Sequence, residues 1–269
     1  MRTRDFPYAY AVTCCGVELA VHVNRASAIP HVKTIVEAAL PIPFQVIDPA
    51  KAKHHIYFQF RRDGQDGLFG GPSGENLVGI PRENSLGLLE SWIRLRIAEF
   101  APEHVFIHAG VVGWKGRGII IPGTSYSGKT SLTVELIRRG ATYYSDEYAI
   151  IDRQGLVAPF PKTLSIRGGV NAYTQVEYPL ETFSATLGTE KIPVAIVLVS
   201  KYVPRARWNP KDLALGEGII ELLKNTVSAR TNPSLVLPTL SNLGAQARFV
   251  RSDRGEASKV VDWLTDVIT

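Results

Sequence analysis

Between a short apolar run, Gly118–Pro122, and a segment with helical periodicity, Ser131–Arg139, the chain reads Gly123-Thr124-Ser125-Tyr126-Ser127-Gly128-Lys129-Thr130. No other feature constrains the fold as much, because the pattern Gly-x-x-x-x-Gly-Lys-Thr works only at a strand–loop–helix junction. The backbone N–H groups of such a loop, and of the helix it opens, converge on anionic oxygens. Lys129 brings a positive charge to the β and γ phosphates of a nucleotide, and the Thr130 hydroxyl suits a magnesium ion. Together with Ser131 in the first helical turn, these residues are the candidate nucleotide-binding set. The competing reading is an ordinary glycine turn followed by a surface lysine. Average residue usage produces this pattern by chance in roughly one chain in a hundred of this length, and the flanking strand and helix weigh further against chance.

A second signal follows the loop at a fixed topological distance. Ala141–Tyr144 is a short strand candidate, and it runs into Ser145-Asp146-Glu147. Paired carboxylates usually sit in solvated turns. Here they lie one helix and one strand beyond Lys129, where a neighbouring strand end returns to the phosphates. One carboxylate can then hold a metal while the other accepts the proton of an attacking hydroxyl. His108 lies in the apolar run Val105–Val112 just upstream. From its surroundings alone it is either a hydrogen-bonded core histidine or a group facing the phosphates.

The rest of the chain sets the frame. Residues 1–101 read as an N-terminal α/β region, with a strand over Cys14–Val23, another over His55–Arg61, and a glycine-punctuated stretch leading to Asn76–Ile80. A helix is expected over Ser85–Phe100, stopped by Pro102. Residues 102–269 read as the catalytic domain, with a turn at Gly113–Gly116, a fully buried strand at Val194–Val199 and a closing helix at Glu256–Val267. The expected class is therefore α/β with a mixed sheet. The only two cysteines, Cys14 and Cys15, are adjacent and read as strand residues. The adjacent His54 and His55 would point to opposite faces of a strand, which argues against a shared metal site.

Charge and hydropathy narrow the partners. Thirty basic and 25 acidic residues give a net charge of +5 without a dense basic run, so a nucleic-acid partner is not expected. No apolar run is long enough to span a bilayer, and the opening Met1–Asp5 leads into no signal-peptide core, so a cytoplasmic location away from membranes is expected.

At this point the motifs resemble a known family. Val105-Phe-Ile-His-Ala-Gly-Val-Val, the glycine loop, Glu135-Leu-Ile-Arg-Arg-Gly-Ala, Ser145-Asp-Glu and Leu164-Ser-Ile-Arg-Gly-Gly-Val-Asn resemble the catalytic domain of HPr kinase/phosphorylase in order and spacing. The likeness covers about Val105–Asn171, with a further echo at Arg254-Gly-Glu-Ala. It implies a core like that of phosphoenolpyruvate carboxykinase, with strands of mixed direction. It also implies Asp146 as general base, Glu147 and Thr130 as magnesium ligands, and His108 assisting at the phosphate. Three positions depart from the family pattern: Tyr126 stands in place of a glycine, Glu147 in place of an aspartate, and Ser165 in place of a glutamate. The N-terminal region also differs from the family's regulatory domain, so the acceptor is expected to differ from the phosphocarrier protein.

The leading expectation is a kinase that transfers the γ-phosphoryl group of ATP, or another nucleoside triphosphate, with magnesium, to a hydroxyl of a peptide or protein. Stand-alone relatives of this type include kinases of lasso-peptide precursors. Arg167, Arg230 and Arg254 are the candidate contacts for phosphate or an acidic acceptor, with plain surface solubility as their alternative. A small-molecule kinase and a non-catalytic nucleotide sensor remain open on the same scaffold, as do the identity of the donor, reversibility and oligomeric state.

Overall fold

The computed structural model describes residues 5–72, 74–123, 127–167 and 175–268, with side chains undescribed at 165–167 and 175–177. The chain divides into two compact units, Met1–Glu103 and His104–Thr269, and each is built on a mixed sheet.

In the first unit, β1 (Tyr8–Cys14) and β2 (Val17–Val23) form a hairpin. Cys15 and Gly16 close it with φ angles of 49° and 79°, the positive pair that a two-residue hairpin turn requires. The single strand expected from Cys14 is thus two strands: alternation in Val17, Leu19, Val21 and Val23 belongs to β2, and Cys15 sits in the turn. β3 (Gln45–Ile47), β4 (His54–Gln59), β5 (Gln65–Phe69) and β6 (Asn76–Pro81) complete the order β3-β1-β2-β4-β5-β6. β2 and β4 run parallel, while the other neighbours are antiparallel. Helices α1 (Ile29–Ala39) and α2 (Arg82–Phe100) pack against each other and onto this sheet. His54 and His55 do point apart, His54 onto Phe100 and His55 onto His22, whose Nε2 lies 3.0 Å from His55 Nδ1.

One buried charge ties this unit together. The Asp66 side chain is fully buried in β5, yet it is well supplied with donors. Its Oδ1 accepts from the Arg61 amide at 2.9 Å and from Arg82 Nη2 at 3.0 Å, and its Oδ2 accepts from Arg82 Nε at 3.1 Å and Ser85 Oγ at 3.0 Å. Burial pushes the carboxyl up, but Arg82, the Arg61 amide and Ser85 together hold it below the usual range. Arg82 and Ser85 open α2, which therefore starts three residues before the periodicity suggests. Asp66→Ala should destabilise this unit by about 3 kcal/mol, since the Arg61 amide and the Ser85 hydroxyl lose a buried acceptor. The depressed carboxyl stabilises above its unfolded pKa, so the wild-type advantage over the variant should shrink as pH falls below about 4. Urea melts at pH 7 and pH 3 check both statements.

In the second unit, β7 (His104–Trp114) and β8 (Arg117–Pro122) form a hairpin, with the turn at Lys115–Gly116 instead of beginning at Gly113. The loop then opens α3 (Lys129–Arg138). β9 (Thr142–Ser145), β10 (Tyr148–Asp152), β11 (Leu156–Ala158), β14 (Ile192–Tyr202), β15 (Lys211–Asp212) and β16 (Arg248–Arg254) complete an eight-stranded sheet. Its order is β11-β10-β7-β8-β14-β16-β15, with β9 paired to β7. β8, β14 and β16 are parallel, so their carboxyl ends share one edge. β12 (Leu164–Arg167) and β13 (Gln175–Tyr178) form a separate ribbon.

Burial on both faces explains the unbroken apolar run in β14. Ile120, Val194, Val197 and Phe249 face α4 (Leu215–Leu223) and α5 (Pro233–Gly244) through Leu222, Leu235, Val236 and Leu240. Ile119, Ile121, Ile196, Leu198 and Val250 face α3 and α6 (Ala257–Val267) through Leu132, Leu136, Val260, Val261 and Leu264. Each fully buried aliphatic side chain contributes roughly 1.5–3 kcal/mol, so the sheet edge carrying the loop rests on a rigid base. Among the described residues, no helix is long and apolar enough to cross a membrane.

Candidate functional site

The site assembles where strand ends meet. β8 ends at Pro122, and the Gly123 amide donates to the His108 carbonyl at 3.3 Å, which ties the loop's start to β7. Thr124, Ser125 and Tyr126 lie outside the described residues. Gly128 caps α3 with a φ of 88°, a left-handed conformation that a side chain would strain. A Cβ there would also collide with the Arg254 guanidinium. Lys129 is buried at 7% exposure, and its Nζ donates to the Gly123 carbonyl at 2.6 Å, folding the amine back across the loop. Ser131 is exposed on the first turn.

The carboxylates arrive along the other edge of β7. β9 pairs with the far part of β7, with Ser145 opposite Val111, and β10 pairs with the near part, with Tyr148 opposite His108. Asp146 and Glu147 are the link between two strands that share one edge. The buried Ser145 hydroxyl fixes that link by accepting from the Glu147 and Tyr148 amides at 3.1 and 2.9 Å. The Glu147 carbonyl accepts from the Ala109 amide at 3.2 Å and lies 2.9 Å from His108 Nδ1. His108 is therefore a positioned group, half-buried and held at main chain from both sides: its own amide donates to the Asn225 carbonyl at 2.8 Å.

Asp146 meets the helix. Its Oδ2 accepts from Thr130 Oγ1 at 2.6 Å, and its Oδ1 lies 3.4 Å from Thr133 Oγ1. Gly110 makes this approach feasible, because a Cβ on β7 at that position would come within 2.7 Å of Thr133 Oγ1 and 3.4 Å of Asp146 Oδ1. Burial pushes the Asp146 carboxyl up to about 6; the Thr130 hydroxyl, the Lys129 charge and Thr133 oppose the shift, and the Glu147 charge adds to it.

The other side of the loop is held by Arg254. It ends β16, and its residue exposure is 2%. Nη2 donates to the Gly128 carbonyl at 2.7 Å, Nη1 donates to the Gly255 carbonyl at 2.9 Å, and the guanidinium lies 5.5 Å from the Tyr202 ring centre. Nε is buried without a partner among the described residues, as is Ser127 Oγ. Burial pulls the Arg254 pKa below its ordinary value, while Tyr202 and Glu256 pull the other way. The Tyr202 amide donates to the Ser127 carbonyl at 3.2 Å, so β14 also braces the loop.

The structure thus brings together Gly123, Ser127, Gly128, Lys129, Thr130, Asp146, His108 and Arg254, with Glu147 present through its main chain. Arg230 is exposed at the end of a segment that touches β7 through the Ile107–Thr226 bridge. Arg167 lies in β12, and its side chain is outside the described ones. Sequence reasoning assigned no role to Ser145, Gly110 or Thr133. Thr133 could have been found, since it stands one helical turn after Thr130 on the same face.

The donor set suits a hard divalent cation. Thr130 Oγ1 lies 2.6 Å from Asp146 Oδ2, the Glu147 carboxylate is close enough to act on Asp146 as a neighbouring charge, and a hydroxyl that donates to a carboxylate keeps its lone pairs for a metal beside them. Among the described residues, no three His, Cys, Asp or Glu side chains gather as they would around zinc. Magnesium takes one or two carboxylates and relies on substrate phosphates for the rest, so these residues fit it.

Compared with known proteins, the chain matches no family model, and no curated protein is significantly similar to it.

Proposed function

We propose that this protein is a nucleotide- and magnesium-dependent kinase, related in its core to HPr kinase/phosphorylase, that phosphorylates a hydroxyl of a peptide or protein. The observation that carries this reading is the junction of β8 and α3. A buried lysine folds over a glycine-capped helix N-terminus there, and Thr130 on its first turn is one hydrogen bond from the half-buried Asp146 carboxylate. Helix N-termini bind phosphate through unpaired N–H groups, and a lysine and a carboxylate on either side of that point match the charges of phosphoryl transfer.

In this reading the Lys129 ammonium moves from the Gly123 carbonyl to the phosphate chain, and the N–H groups of α3 hold the phosphate oxygens. Asp146 orients the acceptor hydroxyl and takes its proton as the new O–P bond forms. The bond from the γ phosphorus to the bridging oxygen breaks, and the nucleoside diphosphate leaves with the electron pair. Thr130 and Glu147 would hold the magnesium, which neutralises charge on the phosphates when bound. His108, fixed by the Glu147 carbonyl, stands beside the loop's first residue and assists at the phosphate.

Product mass and nucleotide release with ATP, magnesium and candidate acceptor peptides provide the test. Wild type should add one phosphate to an acceptor. Lys129→Ala should weaken nucleotide binding at least tenfold and abolish transfer, by loss of charge-assisted hydrogen bonds. Unchanged nucleotide affinity in this variant would remove the loop from the mechanism.

A further inference from the structure

Beyond the loop, on the side away from Asp146, the second unit holds an open cavity of about 710 Å³ lined by Arg205, Ala206, Arg207, Trp208, Gly255, Glu256 and Lys259. It lies just past Tyr202 and Arg254, the paired last residues of β14 and β16, and both of these touch the loop at Ser127 or Gly128. Arg205, Arg207 and Lys259 are exposed, and none makes an ion pair among the described residues. Trp208 stacks edge-on to Trp263 at 5.5 Å, and its buried indole N–H has no partner among the described residues. The lining therefore offers an aromatic wall, several free donors and a single carboxylate, Glu256.

Arg205 occupies an unfavourable backbone position. The Ala206 amide donates to the Val203 carbonyl at 3.0 Å, which closes a turn with Pro204 and Arg205 at its centre. Arg205 has a φ of 65°. Proline followed by a positive-φ residue is the type II arrangement, whose third position favours glycine. An arginine held there costs stability that glycine would not, and residues so placed gather at functional sites.

Topology says which ligand the cavity receives. In the order β10-β7-β8-β14-β16, the Asp146 link borders β7, the loop follows β8, and the cavity lies at the ends of β14 and β16. Attacking and leaving oxygens are in line in phosphoryl transfer. With the acceptor hydroxyl at Asp146, the leaving diphosphate and its nucleoside extend to the opposite side of the loop.

We infer that this cavity binds the nucleoside half of the donor, with Arg205 and Lys259 contacting base and ribose and Trp208 forming part of the wall. The inference rests on the phosphate-loop reading above. A guanidinium stacks flat on a purine face, and the Lys259 ammonium donates to in-plane ring nitrogens or ribose oxygens.

Calorimetry with two magnesium-loaded probes separates the two ideas: inorganic tripolyphosphate, which has no nucleoside, and whichever of ATP and GTP binds wild type more tightly. Arg205→Gly suits the turn and should melt at or above the wild-type temperature. It should weaken the nucleotide about tenfold while changing tripolyphosphate affinity less than about twofold. Lys259→Ala, on an exposed helix position, should show the same selective loss and serves if Arg205→Gly melts early. Equal losses for both probes would reduce these residues to general positive charge and overturn the assignment, as would no loss for either. If wild type bound neither probe, the phosphate-loop reading itself would fall and take this inference with it.

Discussion

Asp146→Asn should bind magnesium nucleotide within about threefold of wild type while phosphorylating an acceptor at least a thousandfold more slowly. Asparagine keeps the shape and an oxygen for the Thr130 hydroxyl, whose bond to Asp146 Oδ2 is 2.6 Å. It cannot take a proton, and a positioned base accounts for roughly a hundred- to ten-thousandfold in rate. The same variant should be more stable than wild type at neutral pH in metal-free buffer. Burial raises the Asp146 carboxyl from 3.8 to about 6. A raised carboxyl binds its proton more tightly in the native state, so stability is fully present below the unfolded pKa and is lost as pH rises toward 6. A shift of that size corresponds to on the order of 2–3 kcal/mol. The stability gain of Asp146→Asn should therefore be largest at pH 7 and absent at pH 4. Single-turnover transfer by rapid quench, with melts at the two pH values, reads both effects. Rapid transfer by the variant would move the base to another residue, with Glu147 the neighbour to try next.

Legibility in the sequence followed local pattern. β8, the loop and α3 could be read because turn glycines, apolar strand and helical spacing all agree over one continuous stretch. Gly140, a glycine just past the helical run, ends α3: its φ is 94°, its amide donates to the Ile137 carbonyl, and the Ala141 amide reaches back to Leu136. β14 stood out because a strand covered on both faces needs no alternation. β5 was hidden, since Gln65-Asp66-Gly67 has the composition of a turn. It becomes a strand because Arg82 and Ser85, distant in sequence, supply the buried Asp66 carboxylate. β16 was hidden for a similar reason. Arg248-Phe-Val-Arg-Ser-Asp-Arg carries too much charge to look like a core strand, yet it pairs with β14 along its whole length and buries Phe249, Val250, Ser252 and Arg254. Arg254 looked as much like a surface residue as a ligand contact because nothing near it in sequence reports burial. The carboxylate pair was legible as chemistry, but its support was not. Ser145 beneath the Asp146–Glu147 link and Gly110 behind it act through β9, β10 and β7 meeting on one edge, a tertiary fact with no local periodicity.

Arg254→Met should separate stability from binding in the opposite sense to an ordinary core mutation. Arg254 is a buried cation with two bonds to main-chain carbonyls, an unpartnered Nε and no ion pair among the described residues. Relief of burying an unpaired cation offsets the roughly 1–3 kcal/mol lost when a buried carbonyl is left without its donor. Methionine fills the space and can pack on Tyr202, so the melting temperature should hold or rise. Nucleotide affinity should nevertheless fall at least tenfold. The variant removes a positive charge beside the helix N-terminus and frees the Gly128 carbonyl, a charge-assisted bond worth roughly 1.5–3 kcal/mol. Gly128 is the residue whose left-handed backbone turns the loop into α3, so releasing it also loosens the N–H groups that would face the phosphates. Arg254→Lys should bind nucleotide with intermediate affinity, because an ammonium keeps the charge but cannot hold the Gly128 and Gly255 carbonyls in one planar fork. Thermal melts and nucleotide calorimetry on the three proteins decide the matter. A methionine variant that melts early and loses affinity in proportion would make Arg254 a structural prop. One that is stable and binds poorly would show a cation kept buried, against the fold's own interest, for an anion at the loop.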